Sequence, residues 1–143
     1  MTPTFGGAET PVRPDLRDQD LTDILTTFYE TVGMDTILSP YFADLDMTAH
    51  MPRITGFWST LLFHTARYSG NAFLPHQKMP GLAAEHFARW VSTLESVIDA
   101  RFAGDNAEQM KALAHRIAYS MQLRLGIHPF AAFQPSIDPA SAG

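Results

Sequence analysis

The 143-residue sequence contains no cysteine, and this absence removes several classes of site at once. Without thiols the chain has no disulfide framework, no thiolate zinc site, no iron–sulfur cluster and no cysteine-linked prosthetic group. A chain without cysteine is compatible with a reducing compartment.

Long apolar runs and basic clusters are also missing. No window approaches the roughly 18 consecutive apolar residues of a membrane span. The first 20 residues contain Pro3, Pro11 and Pro14 instead of the apolar segment of a signal peptide. A net charge of −5 without a Lys/Arg cluster is unlike a nucleic-acid-binding surface. We therefore expect a cytoplasmic protein that binds neither membranes nor nucleic acids.

What remains is the composition of one globular domain, with 45% hydrophobic and 17% charged residues. Both ends are rich in proline or alanine and lack apolar periodicity. This predicts a flexible N-terminal extension over residues 1–19, one domain over residues 20–126 and a C-terminal tail over residues 127–143.

The periodicity within the domain predicts an all-α fold with four main helices and no strand. The first is expected from residue 20 or 21 to 32, where Gly33 ends it. A short helical turn is expected over residues 38–42. The second helix starts near Thr48 as its N-cap, the third covers residues 82–102, and the last covers 105–125 with Asp105 or Asn106 as its cap. Such helices pack as a bundle or as a globin-like sandwich.

His76 stands apart from the other five histidines because of its surroundings. It follows Leu74-Pro75 in a loop rich in turn residues between two apolar-periodic helices. Pro75 stiffens the backbone that leads to the imidazole. A loop also offers free carbonyls to the second ring nitrogen, as a metal-bound imidazole requires.

Three further polar side chains are expected to face the interior from separate helices. Tyr29 continues the Leu21/Leu25 stripe, His50 lies one turn before Ile54, and Trp90 lies among apolar neighbours. Each has an ordinary alternative: a tyrosine bonded to a backbone carbonyl, a histidine at a helix start, and an indole in plain core packing. Together they predict a polar spot in an apolar pocket, which costs stability unless every group finds a partner.

The sequence resembles the truncated haemoglobins, in particular their third group, over about residues 21–125. The segments that carry the resemblance are short and occur in a family-like order. They are Phe28-Tyr29-Glu30, Pro40-Tyr41-Phe42, His50 with Phe57-Trp58, Arg67-Tyr68-Ser69-Gly70, Leu74-Pro75-His76 and His86-Phe87-Ala88-Arg89-Trp90. The third group lacks Gly-Gly hinges, and none occurs here after Gly6-Gly7.

The resemblance implies a two-over-two helical sandwich around non-covalent haem b, iron protoporphyrin IX. His76 matches the proximal iron ligand, and Tyr29, His50 and Trp90 match the groups on the distal side. Four residues match the remaining wall of the haem pocket: Phe42, Ile54, Phe57 and Trp58. Arg53 and Lys78, with Arg67, are candidates for contacts with the haem propionates by position.

The position of His50 remains open between three arrangements. Pro52 is tolerated only near the first turn of a helix, so His50 lies at the helix mouth. From there the ring can point into the pocket, swing to solvent as a gate, or bind iron directly.

The expected function is a haem protein that binds O2 and related ligands such as NO, CO, peroxide or sulfide. Hydrogen bonds from Tyr29 and Trp90 to a partly negative ligand are worth roughly 1.5–3 kcal/mol each, which slows O2 release. This favours oxygen, NO or peroxide chemistry over bulk O2 transport, with a peroxidase-like or NO-detoxifying activity and a reductase or other electron donor as partner. We expect a monomer or weak dimer.

Two other functions compete with this interpretation. One is a haem-free helical module that binds a partner or an apolar ligand, since the Phe, Met and Trp content also fits a plain core. The other is a haem sensor that signals through movement of a tail.

Overall fold

The computed structural model describes residues 13–43, 45–68 and 81–127. This part of the chain contains four α-helices, two short 3-10 helices and no strand, which confirms the predicted all-α class. The helices are α1 (Leu21–Val32), α2 (Met47–Phe63), α3 (Ala84–Arg101) and α4 (Asp105–Arg124). The 3-10 helices are Asp18–Asp20 and Ser39–Tyr41. We find no candidate transmembrane helix among these elements.

The helices form two pairs that pack on each other. α1 contacts α2, α3 contacts α4, and the pairs meet through α1 with α3 and α2 with α4. The stripe of α1 predicted from its three- and four-residue spacing is buried throughout, and it consists of Leu21, Ile24, Leu25, Phe28 and Val32. Burial of this stripe, at about 25 cal/mol per Å² of apolar surface, holds α1 in the centre of the molecule.

The start of α2 differs from the prediction. The N-cap is Asp46 instead of Thr48, and its carboxylate accepts hydrogen bonds from the backbone N–H groups of Thr48 and Ala49 at 3.1 and 3.4 Å. Pro52 lies inside the helix, one turn from its start. The helix ends at His64, which adopts the left-handed conformation with φ 57°.

The cap of α4 also differs from the prediction, because neither Asp105 nor Asn106 caps this helix. The N-cap is Gly104, and the carboxylate of Asp15 accepts from the backbone N–H groups of Asn106 and Ala107 at 2.9 and 3.0 Å. A Cβ on Gly104, whose φ is 146°, would lie 2.5 Å from Cγ of Asp15. Glycine therefore allows Asp15 to reach the helix end.

The last part of the predicted N-terminal extension lies against the helices. Residues 13–19 pack against the helices instead of leaving them: Leu16 is fully buried in the core, and its carbonyl accepts from Asn106 Nδ2 at 2.9 Å. Asp15 and Leu16 thus contact the helical body. The rest of the N-terminal extension and the tail beyond residue 127 lie outside the described residues.

Candidate functional site

Tyr29 and His50 meet between α1 and α2. The Tyr29 hydroxyl lies 2.9 Å from His50 Nε2, and the two rings are perpendicular with centroids 5.2 Å apart. His50 occupies the first turn of α2, where its backbone N–H donates to the carbonyl of Asp46. Of the three arrangements left open by the sequence, the structure has the imidazole pointing inward to the phenol.

Both members of this pair are held in their neutral forms. Burial raises the pKa of the Tyr29 phenol far above its ordinary value. Burial, and then the positive charge of Arg53, lower the pKa of the His50 imidazole below 6.5. A neutral imidazole and a neutral phenol can each donate or accept, so the tautomer of His50 decides where the Tyr29 proton points.

Tyr29 lies within a chain of four aromatic rings that contact each other edge to face. Its centroid is 5.6 Å from Phe42 on one side and 5.0 Å from Phe28 on the other, and Phe28 is 6.2 Å from Trp90. We call Phe42, Tyr29, Phe28 and Trp90 the aromatic arc. Edge-to-face contacts add about 0.5–1.5 kcal/mol each beyond burial, so the arc restricts the orientation of the phenol.

The predicted wall residues of α2 divide between the core and the partly exposed surface. Trp58 is 1% exposed and belongs to the core, whereas Ile54 and Phe57 are only partly buried. Phe57 contacts Trp58 and Tyr68 with ring centroids 5.7 and 5.2 Å away. Beside them Arg53 is exposed. This face of α2 presents apolar side chains next to one imidazole and one guanidinium.

The remaining predicted site residues either form contacts away from the Tyr29–His50 pair or lie outside the described residues. Arg67 forms an ion pair with Asp18 at 3.3 Å and donates to Ser59 at the same distance. His76 and Lys78 lie outside the described residues. The structure therefore brings together Tyr29, His50, Phe42 and Trp90, while the predicted metal ligand stays a prediction.

A cavity of about 750 Å³ borders one side of this cluster, within the size range of small-molecule sites. It lies between α1, the 3-10 helix Ser39–Tyr41 and the start of α2. Its lining consists of Thr26, Tyr29, Glu30, Gly33, Ser39, Pro40, Phe42, Ala43, Met47, Thr48 and Met51. The cavity shares Tyr29 and Phe42 with the predicted site, whereas the predicted wall residues Ile54 and Phe57 are not among the residues that line it.

Phe28 is a site residue that the sequence prediction did not assign. It is 1% exposed and links Tyr29 to Trp90. Phe28 lies on the buried stripe of α1, and from the sequence this position fits an ordinary core residue as well as a residue that supports Tyr29. Only the contact with Trp90, 62 positions further along the chain, makes the distinction.

A search of solved structures finds a similar chain, the crystal structure of a group III truncated hemoglobin from Campylobacter jejuni. The match has a TM-score of 0.72 with 22% sequence identity, and it covers 80% of this chain and 95% of that one. The chain has the truncated-globin fold. The predicted two-over-two sandwich is thereby confirmed.

Comparisons at the level of sequence give nothing further. No protein-family model matches the chain, and no curated protein matches it. The truncated-globin fold is thus recognised through the arrangement of its helices, and its chemistry has to be argued from the side chains.

Proposed function

We propose that this protein binds haem b non-covalently and holds a small gaseous ligand beside Tyr29 and His50. The observation that carries the proposal is the partly buried 2.9 Å hydrogen bond between Tyr29 and His50, flanked by the aromatic arc on a truncated-globin fold. Desolvated polar pairs in an apolar site are costly and mark candidate functional sites.

The described side chains fit a flat apolar group with acidic substituents. Ile54 and Phe57 offer partly exposed apolar surface, Phe42 offers an aromatic edge, and the exposed guanidinium of Arg53 can pair with a carboxylate at the rim. On the sequence pattern alone, His76 is proposed as the residue that would bind the haem iron and Lys78 as one that would pair with a propionate. When bound, haem supplies an iron that coordinates O2, NO or CO.

Tyr29 is proposed to donate a hydrogen bond to that ligand. When His50 Nε2 carries the proton and donates to the Tyr29 oxygen, the phenol O–H is free to point away from His50. The indole N–H of Trp90, which can only donate, is proposed as the second donor. Donors that retain a ligand suit oxygen, NO or peroxide chemistry with an external electron donor better than rapid O2 delivery.

Titration of the purified protein with haemin tests cofactor binding. We expect the wild type to take up one equivalent and develop a Soret band, and His76→Ala to lose haem or to regain its spectrum only with added imidazole. His115→Gln is a matched control, because His115 faces Glu95 at 2.8 Å, between α4 and α3. A wild type without haem uptake would instead favour a haem-free module that uses the neighbouring cavity.

Release of O2 from the haem-loaded protein tests the donor role of Tyr29. Loss of a hydrogen bond worth about 1.4 kcal/mol corresponds to a tenfold faster release, so Tyr29→Phe should accelerate it by about tenfold or more. Stopped-flow mixing measures the rate. Equal rates in Tyr29→Phe and wild type would contradict the donor role while leaving haem binding intact.

A further inference from the structure

An ion pair between Asp35 and Arg89 joins the segment after α1 to α3. Arg89 Nη2 lies 2.9 Å from Asp35 Oδ2, and Arg89 Nε lies 3.0 Å from Oδ2 and 3.2 Å from Oδ1. Two guanidinium nitrogens thus engage both carboxylate oxygens. The Asp35 side chain is 12% exposed and that of Arg89 is 49% exposed. Bidentate geometry on a shielded carboxylate distinguishes this pair from an ordinary surface salt bridge.

The same carboxylate fixes the backbone that leads to Phe42. Asp35 Oδ1 accepts from the N–H groups of Ile37 at 2.8 Å and Leu38 at 3.3 Å, and the Asp35 carbonyl accepts from Ser39 at 2.7 Å. The 3-10 helix Ser39–Tyr41 follows directly, and Phe42 N–H donates to its first carbonyl. One end of the aromatic arc is therefore tied to Asp35 by consecutive short-range hydrogen bonds.

The other end of the arc is tied to Arg89. Trp90 is the next residue on α3, so its backbone moves with that of Arg89. Phe42 and Trp90 are the two ends of the arc, and Tyr29 lies between them. The ion pair closes a ring of contacts that runs through both ends of the arc and through Tyr29.

We propose that Asp35 and Arg89 form a positioning pair that sets the spacing of the aromatic arc and thereby the orientation of the Tyr29 hydroxyl toward His50. Neither residue is in hydrogen-bond contact with Tyr29 or His50; both act through Phe42 and Trp90. This inference rests on the proposed function, because a fixed orientation of the Tyr29 hydroxyl is useful only if that hydroxyl faces a ligand. The geometric effect of the pair is measured at Trp90 and His50 themselves and does not depend on the rate of ligand release.

Arg89→Gln removes the charge and the fork of donors while leaving Asp35 able to accept from Ile37 and Leu38. The full-length protein is labelled with 5-fluorotryptophan and with 15N-histidine, and haem-loaded samples are measured as the diamagnetic ferrous CO form. We expect the 19F resonance of Trp90 and the imidazole 15N resonances of His50 to shift. Trp58, which is 1% exposed in the core, provides an internal control whose resonance stays in place.

Two further variants separate positioning from simple stabilisation. Lys111→Gln breaks ion pairs to Asp99 and Glu108 that have no connection to the arc, and it should leave both reporters unchanged at a comparable loss of stability. Arg89→Lys keeps the charge without the bidentate fork, and it should give a smaller shift of the same sign. It also serves if Arg89→Gln does not fold.

The outcomes of these measurements are distinct. Trp90 and His50 resonances that stay at their wild-type positions in the Arg89 variants would overturn the positioning role, even in a protein that binds haem. Failure of the wild type to take up haem would instead remove the proposed function, and a shift in the Arg89 variants would still establish the geometric coupling.

Discussion

At the scale of single residues, the site depends on a neutral imidazole against a neutral phenol. The sequence placed Tyr29 and His50 on inward stripes and so predicted that both lie near the interior. It could not decide whether they meet, because Pro52 leaves the start of α2 compatible with several ring positions. The 2.9 Å contact is set by how α1 crosses α2.

The lowered pKa of His50 predicts a pH dependence of stability. Between the folded pKa and the unfolded value of 6.5, the unfolded chain binds a proton on His50 that the folded chain excludes. The free energy of unfolding should therefore fall as the pH drops below about 6.5 and level off once folded His50 is protonated. His50→Gln should flatten this slope in urea titrations between pH 7.5 and 5.

Met51→Leu is a suitable control for that series. It changes the next residue of the same helical turn without removing a titratable group, and its slope should equal that of the wild type. If His50→Gln retains the full wild-type slope, the imidazole is not the group responsible.

At the scale of elements, the helices themselves were predictable and their caps were not. Predicted and observed bounds agree within about two residues for α1, α3 and α4, because apolar spacing follows from burial of one face. Both predicted N-caps were wrong. The N-cap of α2 is Asp46, two residues before the predicted Thr48. The cap of α4 comes from Asp15, about 90 positions earlier in the chain, so no local sequence pattern could reveal it.

Asp15 should contribute about as much to the free energy of unfolding as a local N-cap residue does. Replacing it by alanine leaves the N–H groups of Asn106 and Ala107 without their acceptor and should cost about 0.5–2 kcal/mol of unfolding free energy, measured by chemical denaturation. Asp105→Ala, on the exposed first residue of the same helix, should cost less than about 0.5 kcal/mol. Equal costs would refute the long-range cap.

The stabilisation of the start of α4 by the Asp15 carboxylate should depend on pH. Burial raises the pKa of Asp15, but hydrogen bonds from the backbone N–H groups of Asn106, Ala107 and Leu16 outweigh it, so the pKa lies below 3.8. This stabilisation is thus fully present above pH 3.8 and is lost as the pH falls through the folded pKa.

At the scale of the whole molecule, the larger buried cluster of the described residues is built from all four helices and from Leu16 before them. This residue is 0% exposed and packs with the buried stripe of α1, with Ile98 of α3 and with Met110 of α4 in a single cluster. The sequence assigned residues 1–19 to a flexible extension because the segment has no periodicity. A single buried leucine next to a capping aspartate produces no periodic pattern.

Leu16→Ala tests whether this segment is part of the domain. Truncation of a fully buried leucine should lower the free energy of unfolding by about 2–5 kcal/mol in urea. Leu123→Ala is the matched control, since Leu123 is 53% exposed, and its change should stay within about 0.5 kcal/mol. If the Leu16 variant is as stable as the control, residues 13–19 do not contribute to the stability of the domain and the predicted extension stands.

The sequence by itself determined the all-α class, the extent of the helices and the inward stripes that carry Tyr29, His50 and Trp90, because burial of one helix face imposes a local period on the chain. The tertiary structure alone decided the Tyr29–His50 bond, the place of Phe28 in the aromatic arc, the Asp15 cap and the Asp35–Arg89 pair. Those contacts join residues between 21 and about 90 positions apart. Their geometry follows from how the helices cross, which no local spacing encodes.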